Sequence, residues 1–286
     1  MSPLGSDVPP RLLVLGASGQ VGDCLLARCR ARGVPVLALS RTPAAATPGV
    51  TWLSGRLPDA MPTLPPLDAV LSAGPLDLFS RWLTTGPLPG HPRVVALSSM
   101  SAVTKAASAW PPERALAQRL QQAEQAVAAA CERDGMPWTL LRPTLIYGLG
   151  RDQNISPLLR RARRWRLLPL PRAGGLRQPV HADDVAAAML AAVPLAASHG
   201  RVLEIGGGER LSVRQLFERL RAAIPESVLP LPLPTAVTRC AARGASRFAL
   251  AAKLARFEVD LVADNSEVER LLGIRPRPFV PSVPSD

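Results

Sequence analysis

Gly16, Gly19 and Gly22 recur at every third position in the run Gly16-Ala17-Ser18-Gly19-Gln20-Val21-Gly22. The run follows an apolar stretch over residues 11–15 and precedes a segment that reads as a helix over residues 23–32. Between a strand and a helix each glycine has a task. Gly16 permits a tight turn, Gly19 lets the backbone approach a pyrophosphate, and Gly22 lets the helix pack closely on the strand. The N–H groups and dipole of the helix N-terminus then attract the phosphates, so residues 16–21 are expected to line a dinucleotide. The next apolar run ends in Ala38-Leu39-Ser40-Arg41. An acidic residue at such a position holds the ribose diol of NAD, whereas Ser40 and Arg41 suit a 2′-phosphate. NADP(H) is the expected cofactor, with NAD as the weaker reading.

The elements that must position these residues follow in order. Gly33 stops the first helix, and residues 34–39 form the next strand. This strand–turn–helix–strand unit spans about 30 residues, the length a right-handed βαβ crossover needs. Further apolar runs at residues 51–53, 69–72, 94–97 and 138–141 read as strands. A long helical pattern over residues 112–134 starts with proline and ends at Gly135. Apolar strands alternating with helices predict an α/β fold, a Rossmann-type doubly wound parallel sheet with a smaller C-terminal substrate lobe. The proline-rich stretches 62–66 and 229–234 read as connectors, the second opening the C-terminal lobe. The expected division is a dinucleotide-binding domain over 1–210, with a lobe insertion at about 150–176, and a substrate lobe over 211–286.

Composition bounds the remaining classes. The 286 residues are 47% hydrophobic and 20% charged, enough for a packed core. Four cysteines (Cys24, Cys29, Cys131, Cys240) and three histidines (His91, His181, His199) show no metal-ligand spacing. The cysteines read as small buried hydrophobes in a reducing compartment. The N-terminus has no signal-peptide pattern, and the longest apolar stretch, 185–197, is too short to span a bilayer and contains Pro194. A cytoplasmic protein without a membrane partner is expected. The net charge of +12 raises a polyanion partner. All but two of the 34 basic residues are arginines, however, spread through a chain with 31 prolines, and nucleic acid remains a minor reading.

Gly16–Gly22 resembles the loop of the extended and atypical short-chain dehydrogenase/reductase superfamily, in its NAD-dependent epimerase/dehydratase branch. Four further motifs agree: Asp68-Ala-Val-Leu-Ser-Ala-Gly74, Val94-Val-Ala-Leu-Ser-Ser99, Leu141-Arg-Pro-Thr-Leu-Ile-Tyr-Gly148 and Arg177-Gln-Pro-Val-His-Ala-Asp-Asp184. Ile205-Gly-Gly-Gly208, Leu211-Ser-Val and the tail 272–279 are of the same kind. The resemblance implies that Ala73, Gly74, Ser98 and Pro143 lie along the cofactor. It makes Ser99 the active-site serine, and it places Arg177 where nucleotide-sugar epimerases hold substrate phosphates. It implies a small or nucleotide-linked substrate and a homodimer through the long helices flanking the sheet.

One departure is decisive for chemistry. The family's Tyr-x-x-x-Lys pair transfers the proton that accompanies hydride transfer. With Ala123-Glu124 aligned to the family's Ala-Glu, that pair falls on Leu116 and Leu120. The single tyrosine, Tyr147, belongs to another motif and is the candidate substitute acid. Gly55-Arg56 stands where the family has Gly-Asp near the adenine. His181 reads as a structural hydrogen-bonding residue, and Asp183 and Asp184 as caps of a helix starting at Val185. Arg160, Arg163 and Arg164 share a helical face. The expected function is an NADP(H)-binding oxidoreductase of the epimerase/dehydratase type. The alternative is a non-catalytic NADP(H)-binding regulator or assembly factor.

Overall fold

The computed structural model describes residues 11–41, 46–171, 173–233 and 256–283. Cys240 and Lys253 lie outside them.

In the first strand, β1 (Leu12–Leu15), every side chain is apolar and buried. Successive residues of a strand point to opposite faces. Leu12 and Val14 accordingly enter one core and Leu13 and Leu15 a second. A strand that feeds two cores must lie inside a sheet covered on both sides. The sheet has seven strands: β1, β2 (Val36–Ser40), β3 (Val50–Ser54), β4 (Ala69–Ser72), β5 (Arg93–Leu97), β6 (Trp138–Pro143) and an edge strand, β11 (Arg201–Ile205). Their order is β11-β6-β5-β4-β1-β2-β3, and every pairing is parallel. The chain winds outward from β1 in both directions, which opens a crevice between the ends of β1 and β4. The doubly wound Rossmann-type sheet read from the sequence is present, with β11 added at its edge.

Helix α1 (Gln20–Ala31) and helix α6 (Ala182–Ala192) cover the first face, and α2 (Leu76–Leu83) and α4 (Pro111–Arg133) the second. The helix α4 starts with proline at its first position and ends before Gly135, whose φ of +64° suits a helix stop. Two helices begin earlier than the sequence suggests. The first turn of α1 is built from Gln20, Val21 and Gly22, because Gly19 itself is the N-cap. Asp183 and Asp184 do not cap a helix at Val185. His181 caps α6, its Nδ1 accepting from the Asp183 N–H at 3.1 Å, and the two carboxylates lie in the first turn, where the helix dipole favours them.

A third core gathers Tyr147, helix α5 (Ile155–Trp165), strand β8 (Leu167–Pro171), helix α7 (Val213–Ala223) and Phe279. Of the stretch 229–234, expected as a connector, residues 229–233 instead form strand β13 (Leu229–Leu233), parallel to β8, and residue 234 lies outside the described residues. Its prolines alternate with leucines, so the missing donors fall on one edge while the Leu229 N–H reaches the Arg166 carbonyl at 2.9 Å. Cys24, Cys29 and Cys131 are free and buried. Burial pushes the Cys24 thiol up to about 11 and the Cys131 thiol to about 12, as expected of packing groups rather than nucleophiles.

Candidate functional site

The glycine loop passes so close to the end of β4 that a side chain at Gly16 would not fit. A Cβ there would lie 2.7 Å from the Gly74 nitrogen and 2.8 Å from the Ala73 carbonyl carbon, and Gly16 also has a φ of +72°. At Gly22 a Cβ would come within 2.3 Å of the Gly16 oxygen. The Gly19 N–H turns back to the Gly16 carbonyl at 2.9 Å, closing the turn. No side chain caps α1, which leaves its leading N–H groups for an incoming anion. Ala17 and Val21 are buried beneath the loop, whereas Ser18 and Gly19 are exposed above it. Two polar atoms beside the crevice, Gln20 Oε1 and Ser72 Oγ, are buried without a hydrogen-bond partner among the described residues. A dinucleotide fits this backbone cradle, and a polar group brought in by the ligand would find both atoms unsatisfied.

At the end of β2, Ser40 is half-buried and its carbonyl accepts from the Gly55 N–H at 3.0 Å. Arg41 is exposed, as is Arg56 just beyond β3. The paired strands therefore bring two guanidinium-bearing residues to the same end of the sheet.

The ends of β5 and β6 are organised differently. The Ser98 N–H reaches the Leu141 carbonyl at 2.7 Å, and its hydroxyl donates to Glu124 Oε1. Arg142 grips the same carboxylate through Nε at 2.8 Å and Nη2 at 2.5 Å. Glu124 is almost fully buried, and hydrogen bonding to it raises the pKa of Arg142. Arg142 thus ties β6 to α4. Ser99 Oγ accepts from the Ser101 N–H at 3.1 Å, at the start of the short helix α3 (Ser101–Thr104), and keeps its own O–H to donate. Pro143 is buried at the end of β6, its carbonyl accepting from the Met100 N–H at 2.9 Å. The structure brings Ser98, Ser99 and Pro143 to neighbouring strand ends. Leu116 and Leu120 lie half-buried on α4.

Two candidate side chains are occupied elsewhere. The Tyr147 ring packs edge-on against His181 and Phe279, and its hydroxyl accepts from the Val280 N–H at 3.2 Å. Burial raises its pKa. A role as acid would require the C-terminal tail to release it. Arg177 is also buried, its Nη1 donating to the Leu176 and Val259 carbonyls at 2.6 and 2.7 Å and its Nη2 to the Arg256 carbonyl. The guanidinium that the resemblance assigns to a substrate phosphate instead braces the segment around Phe257, whose ring it overlies at 5.2 Å.

Sequence reasoning missed the clasp that holds the tail down. Asp183 binds Arg28 Nε at 2.6 Å and Nη2 at 2.8 Å, and it also receives Arg277 Nη2 at 2.6 Å. Asp184 takes the Arg277 backbone N–H and Nε, both at 2.9 Å. Hydrogen bonding to Arg28, above all, lowers the pKa of Asp183. The partners are 93 or more positions apart, so no local spacing announces them. The pair Glu124–Arg142 left only a faint trace, an Ala-Glu on a helix and an Arg-Pro on a strand.

Comparison with known proteins now adds to this geometry. Residues 73–206, just under half of the chain, match the model of the NAD dependent epimerase/dehydratase family. The resemblance carried by the motifs is borne out. The epimerase/dehydratase match begins at Ala73, so the glycine loop precedes it. MoeE5, solved with UDP-glucose and NAD, is 20% identical with a TM-score of 0.69, and the superposition covers 94% of each chain. The epimerase Mth375 of Methanothermobacter thermautotrophicus is 16% identical over 95% of this chain and 88% of its own, with a TM-score of 0.69. UDP-glucuronic acid 4-epimerase of Bacillus cereus, solved with UDP-glucuronic acid and NAD, is 15% identical over 94% and 95%, with a TM-score of 0.68. These likenesses show that the chain shares its fold with those structures over nearly all of its length. No curated protein sequence matches the chain.

Proposed function

We propose that the chain binds a nicotinamide dinucleotide along residues 16–21, 73–74, 98 and 143, and acts as an oxidoreductase of the epimerase/dehydratase type on a small or nucleotide-linked substrate. The carrying observation is the backbone cradle at Gly16 and Gly22, in which a single Cβ would strike backbone atoms. Similar solved structures hold NAD. The preference proposed here for the 2′-phosphorylated form rests on Arg41, since a guanidinium can grip a phosphate through two N–H groups. When bound, the nicotinamide supplies hydride transfer. Ser99 donates its O–H to the reacting oxygen and orients it, and the Glu124–Arg142 pair holds Ser98 and the strand end in place. Leu116 and Leu120 cannot move a proton, so the proton is left to water, the substrate or a released Tyr147.

Those two leucines favour a second reading, a regulator that binds the dinucleotide as a ligand without turnover. Nucleotide binding followed by nicotinamide fluorescence, then a substrate panel, separates the two. Tight NADPH binding that weakens about tenfold in Arg41→Ala, with NADH binding unchanged, is the expected result. Turnover lost in Ser99→Ala selects the enzyme, and binding without turnover selects the regulator. Failure to bind either nucleotide would overturn both.

A further inference from the structure

The site described above leaves unused the densest basic run of the chain, Arg160-Arg161-Ala162-Arg163-Arg164-Trp165-Arg166. Helix α5 buries Ile155, Ser156, Leu159 and Ala162. Residues five or so positions on stand on the opposite side, so Arg161, Arg164 and Trp165 face outward, and all three are exposed. Arg163 turns back to Glu226, with 2.8 Å between Nε and Oε1, and belongs to the fold rather than to this face. Arg166 adopts a left-handed φ of 56°, which ends the helix and leads straight into β8. The parallel pairing of β8 with β13 then sets Leu229 beside Leu167 and Leu231 beside Pro169. Trp165 is 62% exposed, Leu167 42%, Leu229 65% and Leu231 49%. Among the described residues, half of the large apolar side chains left open to water are in this one place.

We propose that this end of the small lobe is a docking surface for an anionic lipid bilayer. An indole and three leucines form an apolar tip suited to the headgroup–acyl boundary, and arginines beside it suit anionic headgroups. The charge here is predominantly of one sign: residues 160–171 include five arginines and no acid, and Glu226, which lies against the helix, is taken up by Arg163. The edge of the ribbon argues against a partner that adds a strand, because Pro230 and Pro232 have no N–H to offer it. A stacking platform for successive bases needs several rings, and this face has one. Binding of this kind is peripheral.

The test is co-sedimentation of the full chain with vesicles of phosphatidylcholine, with and without phosphatidylglycerol. The expected result is binding to the phosphatidylglycerol vesicles alone, weakened by added salt. It falls by about tenfold in Trp165→Ser/Leu229→Ser and by a similar factor in Arg161→Gln/Arg164→Gln. All four residues are exposed, so both variants keep the far-UV circular dichroism and unfolding midpoint of the parent. No binding at low salt would overturn the proposal. So would equal binding by the Trp165→Ser/Leu229→Ser variant, which would mark attraction by the overall charge. Two other outcomes would also overturn it, by giving the face to a different occupant: Trp165-dependent binding of single-stranded RNA, and Leu229-dependent self-association.

Discussion

The two ends of the crevice are built on different principles. The proposed phosphate end is made of backbone: Gly16, Gly19 and Gly22 are defined by what they lack, and the loop is shaped by the approach of Ala73 and Gly74. The reaction end is made of side chains, and those are locked to one another. Ser98, Glu124 and Arg142 form one closed set, and Tyr147 is closed off by the tail. A backbone cradle tolerates sequence drift around it, since only glycine's missing side chain is required. A proton relay depends on named functional groups, and under the proposed reading positions 116 and 120, where it would need them, carry leucines. Binding and chemistry can therefore part company within one fold.

Four substitutions or conditions test this contrast. The largest effect is expected at the reaction end. Glu124→Ala leaves the Arg142 guanidinium without its carboxylate in a mostly buried position, and a loss of about 3 kcal/mol in urea unfolding is expected. A loss under about 1 kcal/mol would show that the set is not structural. Gly22→Ala attacks the cradle, where the new methyl group meets backbone at 2.3 Å from the Gly16 oxygen. It should cost about 2 kcal/mol and abolish dinucleotide binding in the fluorescence titration. Retained nucleotide affinity would break the contrast at its firmer end.

The clasp on the tail gives a pH dependence. Arg28 above all holds Asp183 below the ordinary carboxylate range, so its folded pKa is lower than its unfolded one. Its contribution is fully present above about pH 4 and is lost as pH falls through the lowered folded value. Urea midpoints measured across that window should fall with acid, and should fall less steeply in Arg28→Ala. The smallest effect is expected from Tyr147→Phe, which removes a hydroxyl held by the tail. It should cost about 1 kcal/mol and leave any turnover unchanged. A large fall in kcat would instead make Tyr147 the missing acid.

Much of the fold was legible because its signals are local. The Gly16–Gly22 run, the apolar strands and the proline-to-glycine frame of α4 each lie within one segment, and each became the expected element to within a few residues. The start of α6 was misplaced because Asp183 and Asp184 look like caps, whereas His181 has that role and they serve arginines far along the chain. The connector at 229–234 was misread because proline argues against strands. Only the pairing with β8 shows that Pro230 and Pro232 fall on a free edge.

By itself, then, the sequence determined what depends on near neighbours: the alternation that makes a two-sided sheet, the glycines that shape a turn, and the proline-to-glycine frame of a long helix. Tertiary structure alone decided which charges meet. Arg177 went to backbone carbonyls rather than outward, and Arg277 returned to α6. It also gathered Trp165, Leu167, Leu229 and Leu231 onto one face. The physical reason is that a hydrogen bond or a buried surface depends on distance in space. Residues more than 60 positions apart carry no local mark of the partner that folding will bring them.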